Sequence, residues 1–428
     1  MRAIAFFLTG LLFTLGLAAQ QPAAAPPPLE KAAKAVASYI KADATGVAAL
    51  FAPSFLQAVP KAKLEALMQQ LYSQLGAVSQ VTFVSATGPQ AGVFDFDFAK
   101  GYRSRVNIVI NGDDAHNITG LLLGPPQPSN DSLAAVQKAL EALPGEVSYQ
   151  IEQLHPGAPR VVASLHPDQA LAIGSAFKLY VLGALVEQVV SGQRHWDEVV
   201  RLREHSFPSG QLQTWPLGSP LTLHTLAGLM ISNSDNTAAD NLLLTVGRSK
   251  VEAAQTALGN RHAERNVPFL TTLEMFQLKY GDAGRRAAYL AGDAAARQAI
   301  LAKMPGSAEP AQLSSFTTAP RDIDRIEWLA SAGDLCRAMA WYRSPERAEA
   351  RGLLAINPGL AQLKETWAYV GYKGGSEAGV LSLNFLLRSK SGSWYAASAI
   401  WNNPSAAVDA SQLETLVGRA LTLVGRAA

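Results

Sequence analysis

Apolar residues recur at spacings of three and four over residues 29–76, and this period predicts amphipathic helices near the start of the chain. The period then changes to two. Residues 94–98 read Phe-Asp-Phe-Asp-Phe, and further apolar runs follow at 106–110 and 118–123. Alternation of this kind is typical of strands with one buried face. Helices followed by consecutive strands predict a small α+β domain over residues 29–124.

Residues 133–428 carry both periods, in an order that predicts a second and larger domain. Strand patterns occupy 147–154, 160–165, 367–373, 379–388 and 393–402. Helical patterns occupy 133–143, 175–190, 222–247, 271–303, 322–343 and 410–426. Strands at both ends of the segment enclose a helical middle, which indicates an α/β sandwich with an antiparallel sheet.

The segment at residues 125–132 is the predicted linker between the two domains, because residues 124–130 read Gly-Pro-Pro-Gln-Pro-Ser-Asn. A length of 428 residues also favours two domains. The net charge is +2, and the sequence contains no arginine-rich patch or phosphate-binding glycine loop. We therefore expect a small-molecule partner and no nucleic acid. The sequence does not indicate an oligomeric state.

The first residues have the pattern of an export signal. Met1-Arg2 is followed by an apolar run to Leu17 and by Ala-Ala-Gln at 18–20. This pattern predicts a bacterial Sec-type signal peptide over residues 1–19 and a secreted or periplasmic location. The run is shorter than the ~20 residues of a membrane span, so no stable membrane anchor is expected. Residues 20–28 are the predicted Pro/Ala-rich spacer.

A serine and a lysine lie one helical turn apart at the start of the predicted helix 175–190. In Ser-Ala-Phe-Lys, the side chains of Ser175 and Lys178 would share one face of the helix. A serine hydroxyl needs a base to take its proton before it attacks an acyl group. Lys178 can be that base when it is neutral, and burial beside a second cation such as Lys373 would lower its pKa from the usual ~10.4. The pair predicts acyl transfer by serine.

Two further strings follow along the chain. Ser234-Asp-Asn236 comes just after an apolar helix, and Lys373-Gly-Gly-Ser376 ends an apolar strand run, where a turn is expected. Each string is common by itself, but together with the first they are the parts of a serine hydrolase that works without histidine. The seven histidines are scattered, and none falls in a metal-binding string. We therefore expect neither a metal nor a cofactor.

The three strings resemble those of class A β-lactamases and penicillin-binding proteins, which carry S-x-x-K, S-D-N and K-T-G in that order. The most specific stretches are residues 174–183 and 226–237, and the resemblance covers about residues 150–425. It implies the α/β fold of that superfamily, with an antiparallel sheet. It also implies that the small-molecule substrate is a β-lactam or a related ester or amide.

The resemblance further implies a role for each site residue. Ser175 would form the acyl-enzyme, with Lys178 as its base and Ser234 as a proton shuttle to the leaving group. Lys373 would hold the carboxylate of the substrate. Further substrate contacts are expected from Asn236, Gly375 and Ser376, the last through an N–H of the oxyanion hole.

Two departures from the family pattern affect the expected activity. Gly374 takes the place of a Thr or Ser, so a hydroxyl that would contact the substrate carboxylate is missing. No E-x-x-L-N string supplies the glutamate that positions the deacylating water. Glu264 is the candidate substitute, whereas Glu274 on the following helix is expected at the surface. Acylation is therefore better supported than fast hydrolysis.

The expected function is an exported β-lactam hydrolase, and two alternatives stay open. In the first alternative, the same site belongs to a carboxylesterase or a D,D-peptidase. In the second, the chain is a module that recognises penicillin without turnover. The first domain resembles, by its order of elements, the cone-shaped fold of steroid isomerases and nuclear transport factor 2. Asp95 and Asp97 share a strand face there, and we expect that face to be solvent-facing rather than catalytic.

Overall fold

The structure of the chain, a computed structural model, describes residues 25–113, 115–124, 126–129, 131–306 and 319–428. These residues divide into two compact units, the first ending at Asp131 and the second beginning at Ser132. The predicted signal peptide at 1–19 lies outside the described residues, as do residues 20–24 of the predicted spacer. Among the helices that the structure describes, none is long and apolar enough to cross a bilayer.

Helices and an antiparallel sheet build the first unit. Its helices are α1 Pro27–Ser38, α2 Pro53–Ala58 and α3 Lys61–Leu75. Its strands are β1 Val78–Gly88, β2 Ala91–Phe98, β3 Tyr102–Ile110, β4 Ile118–Leu123 and β5 Gln127–Pro128. The strands run in the order β1-β2-β3-β4, and β5 pairs with β3. The first helix begins at Pro27, two residues before the predicted start of the domain. Proline is favoured in a first helical turn, because the N–H groups of that turn have no partner within the helix and proline lacks one.

The alternation at 94–98 directs three phenylalanines into the core of the first unit, where they pack with apolar residues of α1 and β3. The two carboxylates between them pair with arginines of β3. Asp95 lies 3.1 Å from Arg105, and Asp97 lies 2.6 Å from Arg103. Both acids are thus held in ion pairs on the sheet.

The second unit contains all three site strings. Its helices are α4 Leu133–Glu141, α5 Lys178–Val190, α6 Leu223–Ser232, α7 Asn236–Val246, α8 Arg248–Ala257, α9 Thr272–Tyr280, α10 Ala283–Ala291, α11 Ala294–Leu301, α12 Ala332–Trp341, α13 Ala348–Ala355, α14 Leu363–Thr366 and α15 Ala410–Ala427. Its strands are β6 Glu146–Leu154, β7 Arg160–Leu165, β8 Leu171–Ala172, β9 Val199–Arg201, β10 Pro220–Thr222, β11 Leu329–Ala330, β12 Tyr369–Glu377, β13 Val380–Arg388 and β14 Trp394–Asn402.

Five antiparallel strands form the main sheet of the second unit, in the order β12-β13-β14-β6-β7. Successive residues of a strand face opposite sides of a sheet. Phe385 is accordingly buried on one side, among residues of α4 and α15, and Leu386 on the other, against the central helices. The antiparallel α/β arrangement predicted for residues 133–428 is confirmed.

Two predicted helical stretches are divided in the structure. The stretch at 271–303 is three helices, because the side chains of Asp282 and Asp293 cap new helices by accepting from backbone N–H groups. The stretch at 322–343 contains β11 and becomes helical only at Ala332, after a capping box at Ser331.

Two other boundaries concern the site strings. The helical stretch at 222–247 is divided between α6 and α7, and Ser234 lies in the turn that joins them. The strand predicted at 367–373 begins at Tyr369 and continues to Glu377. Lys373-Gly-Gly-Ser376 therefore lies within β12, paired with β13, and not in a turn.

Candidate active site

Ser175 lies in a 3-10 turn, Gly174–Phe177, directly before α5. The predicted α-helix thus starts three residues later than expected, at Lys178. Gly174 has a φ of +49°, a conformation that glycine adopts readily. The turn places the hydroxyl oxygen of Ser175 3.1 Å from Nζ of Lys178. A hydroxyl and an amine at this distance can exchange a proton directly.

The amino group of Lys178 is fully buried and contacts four oxygen atoms. Nζ donates to Oδ1 of Asn236 at 2.6 Å and to the carbonyl oxygen of Ser234 at 2.7 Å, and it lies 3.1 Å and 3.3 Å from the hydroxyl oxygens of Ser175 and Ser234. Burial, and next the charge of Lys373, keep the pKa of Lys178 well below its usual value. The neutral form that a base requires is therefore favoured.

Ser234 has a φ of +54°, an uncommon conformation for a residue other than glycine. Its hydroxyl oxygen lies 3.3 Å from Nζ of Lys178 and 3.0 Å from Nζ of Lys373. The turn is stabilised by the buried carboxylate of Asp235, which accepts from three backbone N–H groups. The hydroxyl of Ser234 thus bridges two lysines and can relay a proton.

Lys373 reaches the site from β12, where its Nζ donates to the Ser234 hydroxyl and to the carbonyl oxygen of Gly374. Burial lowers the pKa of Lys373 to about 7. Its side chain is therefore only partly charged at neutral pH. An anion bound beside it would favour the protonated form.

The strand β12 and the turn before α5 approach each other at two glycines. A Cβ on Gly174 would lie 2.9 Å from the backbone nitrogen of Ser376, and one on Gly375 would lie 2.6 Å from that of Ser175. Neither position can carry a side chain unless the backbone moves. The contact brings the nitrogens of Ser175 and Ser376 together, as an oxyanion hole requires.

A cavity of about 480 Å³ opens beside these residues. Six of the predicted site residues line it: Ser175, Ser234, Asn236, Lys373, Gly375 and Ser376. Lys178 lies directly behind the hydroxyl of Ser175. The volume suits a small molecule. In the described parts of the chain, no cluster of His, Cys, Asp and Glu is arranged to hold a metal ion.

Glu264 is not brought to this assembly. It lies in the 3-10 turn Ala263–Asn266 with an exposed side chain, and it does not line the cavity. The loop thus gives it no position from which to activate a water at Ser175. Glu274 also differs from the predicted surface position, because it joins the capping box of α9 and pairs with Arg248 at 2.7 Å.

Two carboxyl groups that line the cavity form a buried cluster with a lysine behind them. Lys279 of α9 lies 3.1 Å from Glu327 and also contacts Glu377, at the end of β12. The side chains of Lys279 and Glu327 are fully buried, and that of Glu377 is 10% exposed. Burial, and next the charge of Glu327, raise the pKa of Glu377 to about 8. A raised pKa favours the protonated form of Glu377, in which it does not repel the neighbouring carboxyl group.

Sequence reasoning missed this cluster and Tyr372, which also lines the cavity. Glu377 directly follows Ser376, so the chain did contain one signal. Lys279 and Glu327 are 48 residues apart, and only the fold brings them together. No sequence pattern indicated that Tyr372 lines the cavity, because its position there depends on which face of β12 it occupies.

The model of the beta-lactamase enzyme family matches residues 132–311, which include the first two site strings. This match supports the predicted beta-lactamase-like domain in the second unit. Among solved structures, a beta-lactamase from Sphaerobacter thermophilus shares 21% identity over 68% of this chain and 94% of that chain, with a TM-score of 0.47. A PBP-A variant, in an acyl-enzyme complex with penicillin G, shares 16% sequence identity over 69% of this chain and 95% of that chain, with a TM-score of 0.46. A beta-lactamase from Chitinophaga pinensis shares 17% sequence identity over 69% of this chain and 98% of that chain, with a TM-score of 0.47.

Proposed function

We propose that the second unit is a serine hydrolase that opens β-lactam rings through an acyl-enzyme on Ser175. One observation carries the proposal. Contacts of 3.1, 3.3 and 3.0 Å connect the Ser175 hydroxyl through Lys178 and the Ser234 hydroxyl to Lys373. The chain provides a nucleophile, a base and a proton relay. The match to the beta-lactamase family model supports the substrate class.

In the acylation step, neutral Lys178 takes the proton of Ser175 while Oγ bonds to the lactam carbonyl carbon. The oxyanion is stabilised by the backbone N–H groups of Ser175 and Ser376. The C–N bond then breaks, and the ring nitrogen takes a proton from Ser234. Lys178 returns a proton to Ser234 across their contact, which leaves an ester on Ser175.

Release of the acyl group is the step with less support. Water must attack the ester, and Glu264 is exposed and outside the cavity. This observation favours a second function, in which the protein keeps its acyl group and recognises penicillins without rapid turnover. Both functions share the acylation step and the same residues.

Intact-protein mass spectrometry distinguishes these functions. The full chain and its Ser175→Ala variant are mixed with penicillin and, separately, with a chromogenic cephalosporin. A transient mass increase with a colour change, absent in the variant, supports a hydrolase. A persistent increase supports the recognition function. Equal behaviour of the two proteins would overturn serine acylation.

We also propose that the protein is exported and that its first unit has the cone-shaped fold described above. Export is supported by the sequence of residues 1–19. The fold is supported by helices that precede an antiparallel sheet. Fractionation of bacteria that express the full chain tests export, with a mature protein starting near residue 20 as the expected result and an uncleaved cytoplasmic chain as the contrary one.

A further inference from the structure

A tyrosine hydroxyl occupies the space in which a side chain at position 374 would begin. A Cβ built on Gly374 would collide with the hydroxyl oxygen of Tyr372 and would lie 2.8 Å from the ring carbon that carries it. The tyrosine oxygen therefore stands close to where the hydroxyl of a serine or threonine at 374 would be. Glycine at 374, in place of a threonine or serine, leaves the site without one hydroxyl. The hydroxyl of Tyr372 occupies the same place.

The ring of Tyr372 is fixed by its neighbours. Residues 372 and 374 are two apart in β12, so their side-chain positions share one face of the strand. The ring packs against Phe385, with 4.9 Å between the ring centroids. It also covers Gly359, where a Cβ would lie 2.7 Å from the ring and φ is +67°. Glycines on two sides thus make room for this one orientation.

The hydroxyl of Tyr372 is available to a ligand. Tyr372 lines the same cavity as Ser175 and Lys373, and no described residue forms a hydrogen bond with its oxygen. Burial, and next the charge of Glu414, raise the pKa of Tyr372 above its usual value. The phenol therefore stays protonated and is a donor at neutral pH.

The charges of the cavity leave few groups for an anionic substrate. Among the described residues that line it, Lys373 is the only lysine or arginine. Glu327 and Glu377 each contact Lys279 through one carboxyl oxygen, and Glu414 is exposed. A substrate carboxylate beside Lys373 thus depends on neutral donors for its other oxygen.

We propose that the Tyr372 hydroxyl donates a hydrogen bond to the substrate carboxylate and, with Lys373, selects substrates that carry one. The inference rests on the proposed function. It assigns a specificity-determining role to Tyr372 and explains the glycine at 374, since a threonine there would displace the tyrosine. No bond is made or broken by Tyr372, and its proton stays on the phenol.

The test compares a penicillin that carries its free carboxylate with the methyl ester of the same penicillin. In Tyr372→Phe, the penicillin concentration needed for half-maximal acylation should rise about tenfold for the acid and less than twofold for the ester. The reason is that the hydrogen bond from the tyrosine hydroxyl is strong to a charged carboxylate and weak to a neutral ester. Tyr369→Phe is the matched control. It removes a hydroxyl from the same strand, but that hydroxyl donates to the carbonyl oxygen of Arg351 at 2.8 Å and lies outside the cavity wall.

A second pair of variants tests the exchange of hydroxyls directly. Tyr372→Ala should discriminate about tenfold less between acid and ester, because Lys373 remains, and Tyr372→Ala combined with Gly374→Thr should recover part of that loss. Equal changes for acid and ester, or no change in Tyr372→Phe, would overturn the role of Tyr372 while leaving Ser175 acylation in place. Absence of both an adduct and hydrolysis in the unaltered protein would instead overturn the proposed function.

Discussion

The amino nitrogen of Lys178 lies 3.1 Å from the hydroxyl oxygen of Ser175, with no solvent exposure of the lysine. Burial and the neighbouring Lys373 lower the pKa of Lys178, so the nitrogen can take the proton that the serine must lose.

Lys178→Arg should separate charge from basicity. Arginine places a permanent cation near Ser175, because it does not lose its proton in proteins. We expect acylation to slow at least about 1,000-fold, close to the loss in Ser175→Ala, because residues that act as a unit have similar single effects. Stopped-flow acylation by a chromogenic cephalosporin measures the rate. Lys250→Arg, at an exposed position, is the control. If Lys178→Arg were acylated within tenfold of the rate of the unaltered protein, Lys178 would be excluded as the base.

Binding of a carboxylate substrate should weaken as pH rises above the pKa of Lys373, about 7. The protonated lysine attracts the carboxylate, so loss of its proton raises the dissociation constant by up to about tenfold per pH unit. Calorimetry on Ser175→Ala between pH 6 and 9 measures binding without reaction. Ionisation of Glu377, whose pKa is about 8, has the same sign, and Glu377→Gln separates the two effects. A constant affinity across this range would contradict the lowered pKa.

Glu264→Gln should leave both acylation and the lifetime of the acyl-enzyme unchanged within about twofold, as expected for an exposed charge far from special contacts. Mass spectrometry over time, after removal of free penicillin, measures that lifetime. A clearly longer lifetime in the variant would show that Glu264 reaches the site in a conformation that the structure does not contain.

Lys279→Met should destabilise the second unit by about 3–5 kcal/mol, because removal of one partner leaves buried carboxyl groups without compensation. All seven tryptophans lie between residues 196 and 401, so their fluorescence during urea unfolding of the full chain reports this unit. Lys250→Met, at the surface, should change the free energy of unfolding by less than about 0.5 kcal/mol. A similar small change for Lys279→Met would mean that both carboxyl groups are neutral in the folded protein.

The sequence was sufficient where the chemistry is local. Ser175 and Lys178 are three residues apart, so any helical turn brings them together. The order of the three strings then indicated which distant segments would meet them. The capping residues Asp282, Asp293 and Ser331 are also local signals, and they mark where new helices begin inside the predicted helical stretches.

Features that depend on register or on long-range contact could not be predicted. Lys373-Gly-Gly-Ser376 has the composition of a turn, yet hydrogen bonding to β13 keeps it extended as far as Glu377. The place of Tyr372 in the cavity depends on the face of β12 that it occupies. The exposure of Glu264 depends on the path of a loop, which no periodicity describes.

The order of the site residues along the chain determines when the site can form during synthesis. Asn402 exchanges hydrogen bonds of 2.8 and 3.0 Å with the backbone of Ala172, 230 residues earlier, and Lys373 follows Ser234 by 139 residues. A ribosome therefore releases the nucleophile long before the strands that complete its surroundings. Contacts so distant in sequence form late in folding. A nascent chain that ends before β12 holds Ser175 and Lys178 but lacks Lys373, so these three residues cannot come together until β12 has been synthesised.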